Sequence, residues 1–250
     1  MSERVLVLVR HGESTWNQEN RFSGWRDVPL SDLGIQQARD AGQILKDDDF
    51  QFDVAFTSYL KRSIKTLWII LEELDQMWIV EHKHWRLNER HYGKLQGLNK
   101  AEMGKQYGEE KVQRWRRGWD VRPPLIDDSH DAASPVHQRR YRGLQSEIPR
   151  GESLKDTVDR VVPYWTDAIQ PELQSGRNVL VVAHGNSLRA LIKVVQNIPD
   201  HVIPTIELPT GKPYVIRLDA SLRVTDGEFL GDPEEIEAAI EAVKNQARPT

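Results

Sequence analysis

The chain has 250 residues, 38% of them hydrophobic and 29% charged, with a formal net charge of -4 from 34 basic and 38 acidic side chains. That length and mix suit one large α/β domain with a core of its own, exclude a disordered chain, and argue against a general nucleic-acid binder while leaving room for a local basic pocket. Cysteine is absent, which excludes disulfides, thiol catalysis and thiolate-ligated metals. No stretch approaches the ~20 apolar residues that span a bilayer. The apolar run at Val5 is too short for a signal peptide, so a cytoplasmic address is the default.

In chain order, Val5-Leu6-Val7-Leu8-Val9 is unalternated and rich in β-branched residues, the pattern of a strand buried on both faces. It stops at Arg10-His11-Gly12-Glu13-Ser14. Thr15 to Arg26 is polar with interleaved aromatics and reads as a loop over the strand end. Ser31 is placed to cap a helix carried by Ile35, Ala38, Gly42 and Leu45. Phe52 to Thr57 reads as a strand. From Ser58, the spacing of Leu60, Ile64, Leu67, Leu71 and Leu74 predicts a helix with Arg62 in its first turn. Met77–Val80 and His84–Leu87 read as strands. Asn99–Tyr107 and Glu109–Trp115 read as short helices divided by Gly108.

Pro123 to Arg150 lacks periodicity and reads as a lid-like excursion from a single domain spanning 1–250. Leu154, Val158, Val161, Trp165 and Ile169 mark one face of a long helix, which Pro163 should kink. Asn178 to Ala183 is a second buried strand and delivers His184-Gly185-Asn186-Ser187, echoing the first. If the two strands are parallel neighbours, their histidines face each other across one crevice at the carboxyl end of the sheet. A helix from Ser187 to Gln196, short strands at Thr205–Glu207 and Tyr214–Arg217, and a terminal helix from Asp232-Pro233 to about Gln246 complete the chain. Ala247 to Thr250 is left as a tail.

Phosphoryl transfer needs a nucleophile, cations for the phosphoryl oxygens and a proton carrier for the leaving oxygen. Neutral His11 suits the first role. Arg10 and Arg62 carry guanidinium forks that match phosphate and disfavour an imidazolium beside them. His184 is placed to donate to the transferred group, and Glu89, at the end of a strand-like run, is the best-placed carboxylate. Lys100, Arg116 and Arg117 add more positive charge than one phosphate requires and point to a second anionic group. Each has an ordinary alternative: a structural histidine, a surface ion pair, a solvated turn carboxylate or helix end. Two histidines in matching contexts outweigh that alternative. His82, His84, His91, His130, His137 and His201 share no metal spacing and read as structural or surface residues. The eight tryptophans read as core and loop anchors.

These residues are not generic. Arg10-His11-Gly12-Glu13-Ser14 resembles the signature of the histidine phosphatase superfamily. Nearly the whole chain resembles the cofactor-dependent phosphoglycerate mutases. The resemblance is carried by Glu19–Trp25, Thr57-Ser58 with Leu60-Lys61-Arg62, Leu87–Gly93, Leu95–Lys100, Trp115–Gly118 and Ala183–Ala190. It implies a three-layer fold, a mainly parallel β-sheet with helices on both faces. It implies that His11 is the phosphorylated histidine, Glu89 the proton donor and acceptor, and His184 the transition-state stabiliser. Arg10, Asn17, Ser23, Gly24, Arg62, Glu89, Tyr92, Lys100, Arg116, Arg117, Gly185 and Asn186 would hold substrate.

The implied activity is the interconversion of 2-phosphoglycerate and 3-phosphoglycerate in glycolysis and gluconeogenesis, primed by 2,3-bisphosphoglycerate as cofactor and without a metal. Partners would be small phosphoglycerates, with no nucleic acid or membrane, and a homo-oligomer, dimer or tetramer, is expected. A phosphatase and a bisphosphoglycerate mutase on the same fold are the alternatives. The stretch from Glu89 to Arg117 argues against the first, and Ser14 and Gly24 against the second. A non-catalytic phospho-ligand module does not need the full set of Arg10, His11, Arg62, Glu89 and His184. Only Arg140-Tyr141 keeps the family pattern in the 126–150 region. The tail, with Lys244 and Arg248 nearby, is expected to cover the site.

Overall fold

The computed structural model describes residues 3–127, 134–144 and 146–245. Six strands form one sheet: β1 (Arg4–Arg10), β2 (Val54–Thr57), β3 (Val80–Lys83), β4 (Val179–Ala183), β5 (Pro213–Leu218) and β6 (Val224–Phe229). Their spatial order is β3-β2-β4-β1-β5-β6. The first four in that order run parallel, β5 is antiparallel to β1, and β6 is antiparallel to β5. The register of β1 against β4 runs from Leu6 opposite Val179 to Arg10 opposite Ala183. Both histidine motifs therefore leave the sheet side by side.

Successive side chains of a strand point to opposite faces, and a sheet covered on both sides needs apolar residues at every position. That is why β1 and β4 are unbroken apolar runs. Leu6, Leu8, Val179 and Val181 pack with α6 (Leu154–Tyr164) and α8 (Gly185–Val195). Val7, Val9, Leu180 and Val182 pack with the buried faces of α2 (Asp32–Asp47) and α3 (Lys61–Leu74) on the other side. The expected three layers are present. Ser31 caps α2 through the Gly34 N–H, as its position in the sequence suggests. The remaining helices are α1 (Thr15–Gln18), α4 (Lys100–Tyr107), α5 (Glu109–Arg117), α7 (Gln170–Gln174) and α9 (Pro233–Asn245).

Several elements differ from expectation for local reasons. The loop after β1 contains α1, closed by a reciprocal cap between Ser14 and Asn17. Only one strand, β3, lies where two were expected. Asp75 ends α3 in the left-handed conformation, and the buried Gln76 side chain then ties down the Phe52 N–H and the Phe50 carbonyl, holding Met77 and Trp78 in a turn. After β3, His84 Nδ1 accepts the Arg86 N–H and folds Trp85–Leu87 into a 3-10 turn. Trp85 and Leu87 are both buried from that turn, which is the source of their strand-like alternation.

Thr205–Glu207 is not a strand. A 3-10 turn spans Ile203–Thr205, and Glu207 faces arginines instead of a sheet neighbour. Strand β6 was not expected, since only its ends are apolar; its middle, Thr225 to Glu228, is exposed. Pro163 sits in the last turn of α6, and the helix continues as a π-helical turn at Trp165–Ile169 before α7, the kind of interruption a missing proline N–H invites. In the excursion, residues 134–144 are anchored: Tyr141 is buried and stacks on Trp25 at 5.3 Å, and Arg140 binds Asp27 and the Tyr59 carbonyl. The end of the terminal helix at Gln246, the tail with Arg248, and His130 lie outside the described residues.

Candidate active site

The β1–β4 pairing fixes the centre of the site. The His11 N–H donates to the Ala183 carbonyl at 3.0 Å, and the His11 and His184 rings meet edge to face at 4.9 Å between centroids. A side chain at Gly12 would collide with the Gly34 carbonyl of α2, so glycine lets the histidine turn lie close against that helix. His11 Nδ1 lies 2.6 Å from the Gly12 carbonyl. A carbonyl can only accept, so Nδ1 carries the proton and Nε2 keeps its lone pair. Burial, then Arg62 and Arg10, hold the His11 pKa well below its ordinary value. The two arginines act as expected, but desolvation is the larger cause. His184 is held neutral by burial first and by Arg62 next; its Nε2 lies 2.8 Å from Ser58 Oγ.

Arg62 is fully buried, not a surface ion pair. Its Nε donates to His11 Nε2 at 3.2 Å, and its two terminal nitrogens donate to the Arg26 and Gly24 carbonyls. Gly24 turns with φ +53, and a side chain there would strike Gln96. Arg10 leaves the end of β1 and binds the Leu208 carbonyl.

Glu89 follows the 3-10 turn after β3. Its Oε1 accepts from the N–H groups of Arg90 and Asn186 and from the Asn186 amide at 2.9 Å. The same amide donates to the Tyr92 hydroxyl at 3.1 Å.

One cleft of about 560 Å³, partly open to solvent, gathers these groups. Every residue expected at the site lines it except His184, which sits against His11: Arg10, His11, Asn17, Ser23, Gly24, Arg62, Glu89, Tyr92, Lys100, Arg116, Arg117, Gly185 and Asn186. Lys100 is the first residue of α4, after the cap Asn99, and Arg116 and Arg117 end α5. Burial and the neighbouring arginines drive the Lys100 pKa well down. Burial and then Arg117 lower Arg116 to about 10. A pocket that strains its own cations in this way is one an anion would relieve.

A sequence model of the histidine phosphatase superfamily (branch 1) matches the chain in two segments, residues 6–139 and 126–225. The chain belongs to the histidine phosphatase superfamily. Two curated relatives, from Elusimicrobium minutum and Porphyromonas gingivalis, are each 52% identical to it. They cover 98% and 97% of the chain and 99% and 98% of their own lengths. Both are named 2,3-bisphosphoglycerate-dependent phosphoglycerate mutase. Solved structures share the superfamily fold. A mycobacterial glucosyl-3-phosphoglycerate phosphatase complexed with VO3 matches with TM-score 0.68 and 24% identity, over 90% of this chain and 97% of that one. An alpha-ribazole phosphatase from Shigella flexneri matches with TM-score 0.66 and 24% identity, over 91% and 96%.

In this superfamily member the cleft also contains Arg21, Phe22, Arg189 and Val243, which sequence reasoning did not single out. Arg189 lies one helical turn beyond Asn186 on α8, so helix periodicity was the signal that could have found it. Val243 continues the apolar stripe of Ile236 and Ile240 on α9. Lys244 does not join it: it is exposed and paired with Glu241 at 2.6 Å. His84 and His91 are structural, each accepting a backbone N–H. Among the described residues, no group of three His, Asp or Glu side chains could hold a metal ion, and no helix is long and apolar enough to cross a membrane.

Proposed function

We propose that the chain is a 2,3-bisphosphoglycerate-dependent phosphoglycerate mutase, interconverting 2-phosphoglycerate and 3-phosphoglycerate. The observation that carries this reading is the cation content of the cleft. Beside His11, Arg10 and Arg62 it gathers Lys100, Arg116 and Arg117, more positive charge than one phosphate requires. A substrate with a second anionic group besides its phosphate fits it, and the 52% identity to mutases along the whole chain favours transfer to a sugar-acid hydroxyl over transfer to water. Arg10 Nε, Ser23 Oγ and His184 Nδ1 are buried without a hydrogen-bond partner among the described residues. Such groups suit a ligand rich in oxygen acceptors.

In this reading His11 Nε2 carries the phosphoryl group. The attacking hydroxyl of a monophosphoglycerate gives its proton to Glu89 as the new P–O bond forms and the N–P bond breaks. Glu89 Oε1 is occupied by three donors, so Oε2 takes the proton. Arg62 and Arg10 balance the phosphoryl charge, and His184 donates to it in the transition state. Lys100, Arg116 and Arg117 hold the second anionic group of the substrate while it reorients. 2,3-Bisphosphoglycerate supplies the phosphoryl group that primes His11. The cytoplasm, where phosphoglycerates are turned over, is the proposed location.

A coupled assay with 3-phosphoglycerate tests the reading. Turnover should require catalytic amounts of 2,3-bisphosphoglycerate. The protein should take up an acid-labile, base-stable phosphate that His11→Asn abolishes. Release of inorganic phosphate without 2-phosphoglycerate would make it a phosphatase.

The oligomer expected from the sequence is proposed as a two-fold dimer through the β3 edge. That edge is flanked by exposed Trp68, Met77, Trp78 and Val80, with Trp78 75% exposed. The opposite edge, β6, is charged in its middle and shows no such patch. Two β3 strands pairing antiparallel about His82 set Glu81 of each copy opposite Lys83 of the other, a favourable cross-strand pair. Trp78→Glu should convert a dimer to a monomer in light scattering; a wild type that is already monomeric would remove this part.

A further inference from the structure

Glu207 has no part in the chemistry above, yet it is a carboxylate buried at the edge of the cleft. Its Oε1 lies 2.8 Å from an Arg117 nitrogen and its Oε2 lies 2.8 Å from Arg189 Nη2. Arg189 also donates from Nη1 to Asn186 Oδ1 at 3.1 Å. That bond decides which way the Asn186 amide points. With Oδ1 on Arg189, Nδ2 must face Glu89 Oε1 and the Tyr92 hydroxyl, where it donates to both. One chain of contacts thus runs from the cation clamp at the end of α5, through Glu207, Arg189 and Asn186, to Glu89.

We propose that Glu207 is a positioning residue for substrate: one carboxylate oxygen sets Arg117 in the clamp, and the other sets the Arg189 guanidinium that orients Asn186 against Glu89. Arg10, Arg116, Arg117 and Arg189 crowd this corner. Without a carboxylate between them, Arg117 and Arg189 would repel each other and swing apart. Glu207 holds the two guanidinium groups side by side, one for the ligand and one for Asn186. It also makes anion recognition by Arg117 and the geometry of Glu89 depend on the same group. The inference rests on the mutase reading for Glu89. Its first arm needs only that Arg117 binds an anion.

A double-mutant cycle on 2,3-bisphosphoglycerate binding, read by calorimetry, tests it. Glu207→Gln keeps the shape and removes the charge, and should weaken binding at least about tenfold, as expected when a buried charge pair loses one partner. Arg117→Met should weaken binding comparably. The double variant should bind within about twofold of Arg117→Met, because groups that act through each other are not additive. Additive losses in the double variant would reduce Glu207 to a structural role and overturn the proposal. Should Glu207→Gln fail to fold, Glu207→Asp, with the charge kept and the reach shortened, takes its place in the same cycle. For the second arm, Arg189→Leu should lower kcat at saturating substrate by at least about tenfold, with a smaller change in binding than Glu207→Gln; an unchanged kcat would sever the link to Glu89. Coupled binding in a protein without mutase turnover would sink the mutase reading and leave the Arg117 arm standing. Turnover with an additive cycle would do the reverse.

Discussion

Three donors converge on one oxygen of Glu89 and leave the other for proton transfer. Glu89→Gln keeps the size of the side chain and removes its ability to take a proton, so kcat should fall by about 10²–10⁴-fold with the melting curve unchanged. A variant within about threefold of wild type in a stopped assay would take Glu89 out of the mechanism, since that loss is far below the usual range for general acid–base catalysis. Residues differed in how legible they were. His11 and His184 could be found from the sequence because each ends a run of apolar residues, and such runs betray buried strands. Glu89 could be singled out only weakly, as the carboxylate ending a strand-like run, until family resemblance supported it. It follows a turn that imitates a strand, and a carboxylate in a turn carries no signal of its own. Glu207 was missed for a related reason: it lies in a loop, and its ion pairs to Arg117 and Arg189 leave no periodic trace there. Arg189 could have been reached only from Asn186, one helical turn before it.

At the scale of elements, the clamp depends on how the end of α5 is held. The last carbonyls of a helix have no partner within it. Here Arg90, fully buried, donates to the carbonyls of Trp115, Arg116 and Val121, and to that of Glu152. One guanidinium thereby fixes the turn that carries Arg116 and Arg117. Arg90→Lys keeps the charge but loses the fork, leaving buried carbonyls without donors, and should cost about 2 kcal/mol or more of stability in urea denaturation. It should also weaken 2,3-bisphosphoglycerate binding. Leu67→Ala, in the α3 face that packs on the sheet, should cost a similar amount, about 2–5 kcal/mol, yet leave binding nearly unchanged. Equal effects of the two on binding would mean that Arg90 acts only through global stability. Elements marked by apolar pattern or by a cap were legible: α2 and α3 by helical spacing, β1 and β4 by unbroken apolar runs, and α9 by its Asp232-Pro233 start. Those shaped by single hydrogen bonds, such as the turns at Gln76 and His84, and the exposed strand β6, were not, because nothing in their hydrophobic pattern records them.

The order of the strands belongs to the whole molecule. β1 and β4 become neighbours only because the two helical layers close over both faces of the sheet, which is why the sequence could give their meeting only as a condition. The same closure buries His91 and half-buries His84. His84 stacks on Tyr164 at 4.1 Å between ring centroids, and His91 lies under Trp25 at 5.8 Å. Burial, and then Arg86, lowers the His84 pKa to about 4. Burial, and then Arg160 and Arg26, lowers that of His91 to about 3. Both stay neutral in the folded protein below the pH at which free imidazoles protonate, about 6.5. Between about 6.5 and these lowered values the unfolded chain therefore binds more protons than the folded one, and stability must fall as pH falls. His11 and His184 act in the same direction. Urea denaturation at pH 6.5 and pH 5.0 should show this loss before most ordinary carboxylates titrate. His91→Gln isolates one contribution, because glutamine can still accept the Gly93 N–H that His91 Nδ1 accepts but cannot take up a proton. Between those two pH values the variant should lose about 1.5 kcal/mol less stability than wild type, the linkage expected of one imidazole that protonates only when unfolded. Equal losses in the two proteins would mean that His91 is already protonated in the folded state at pH 5.0.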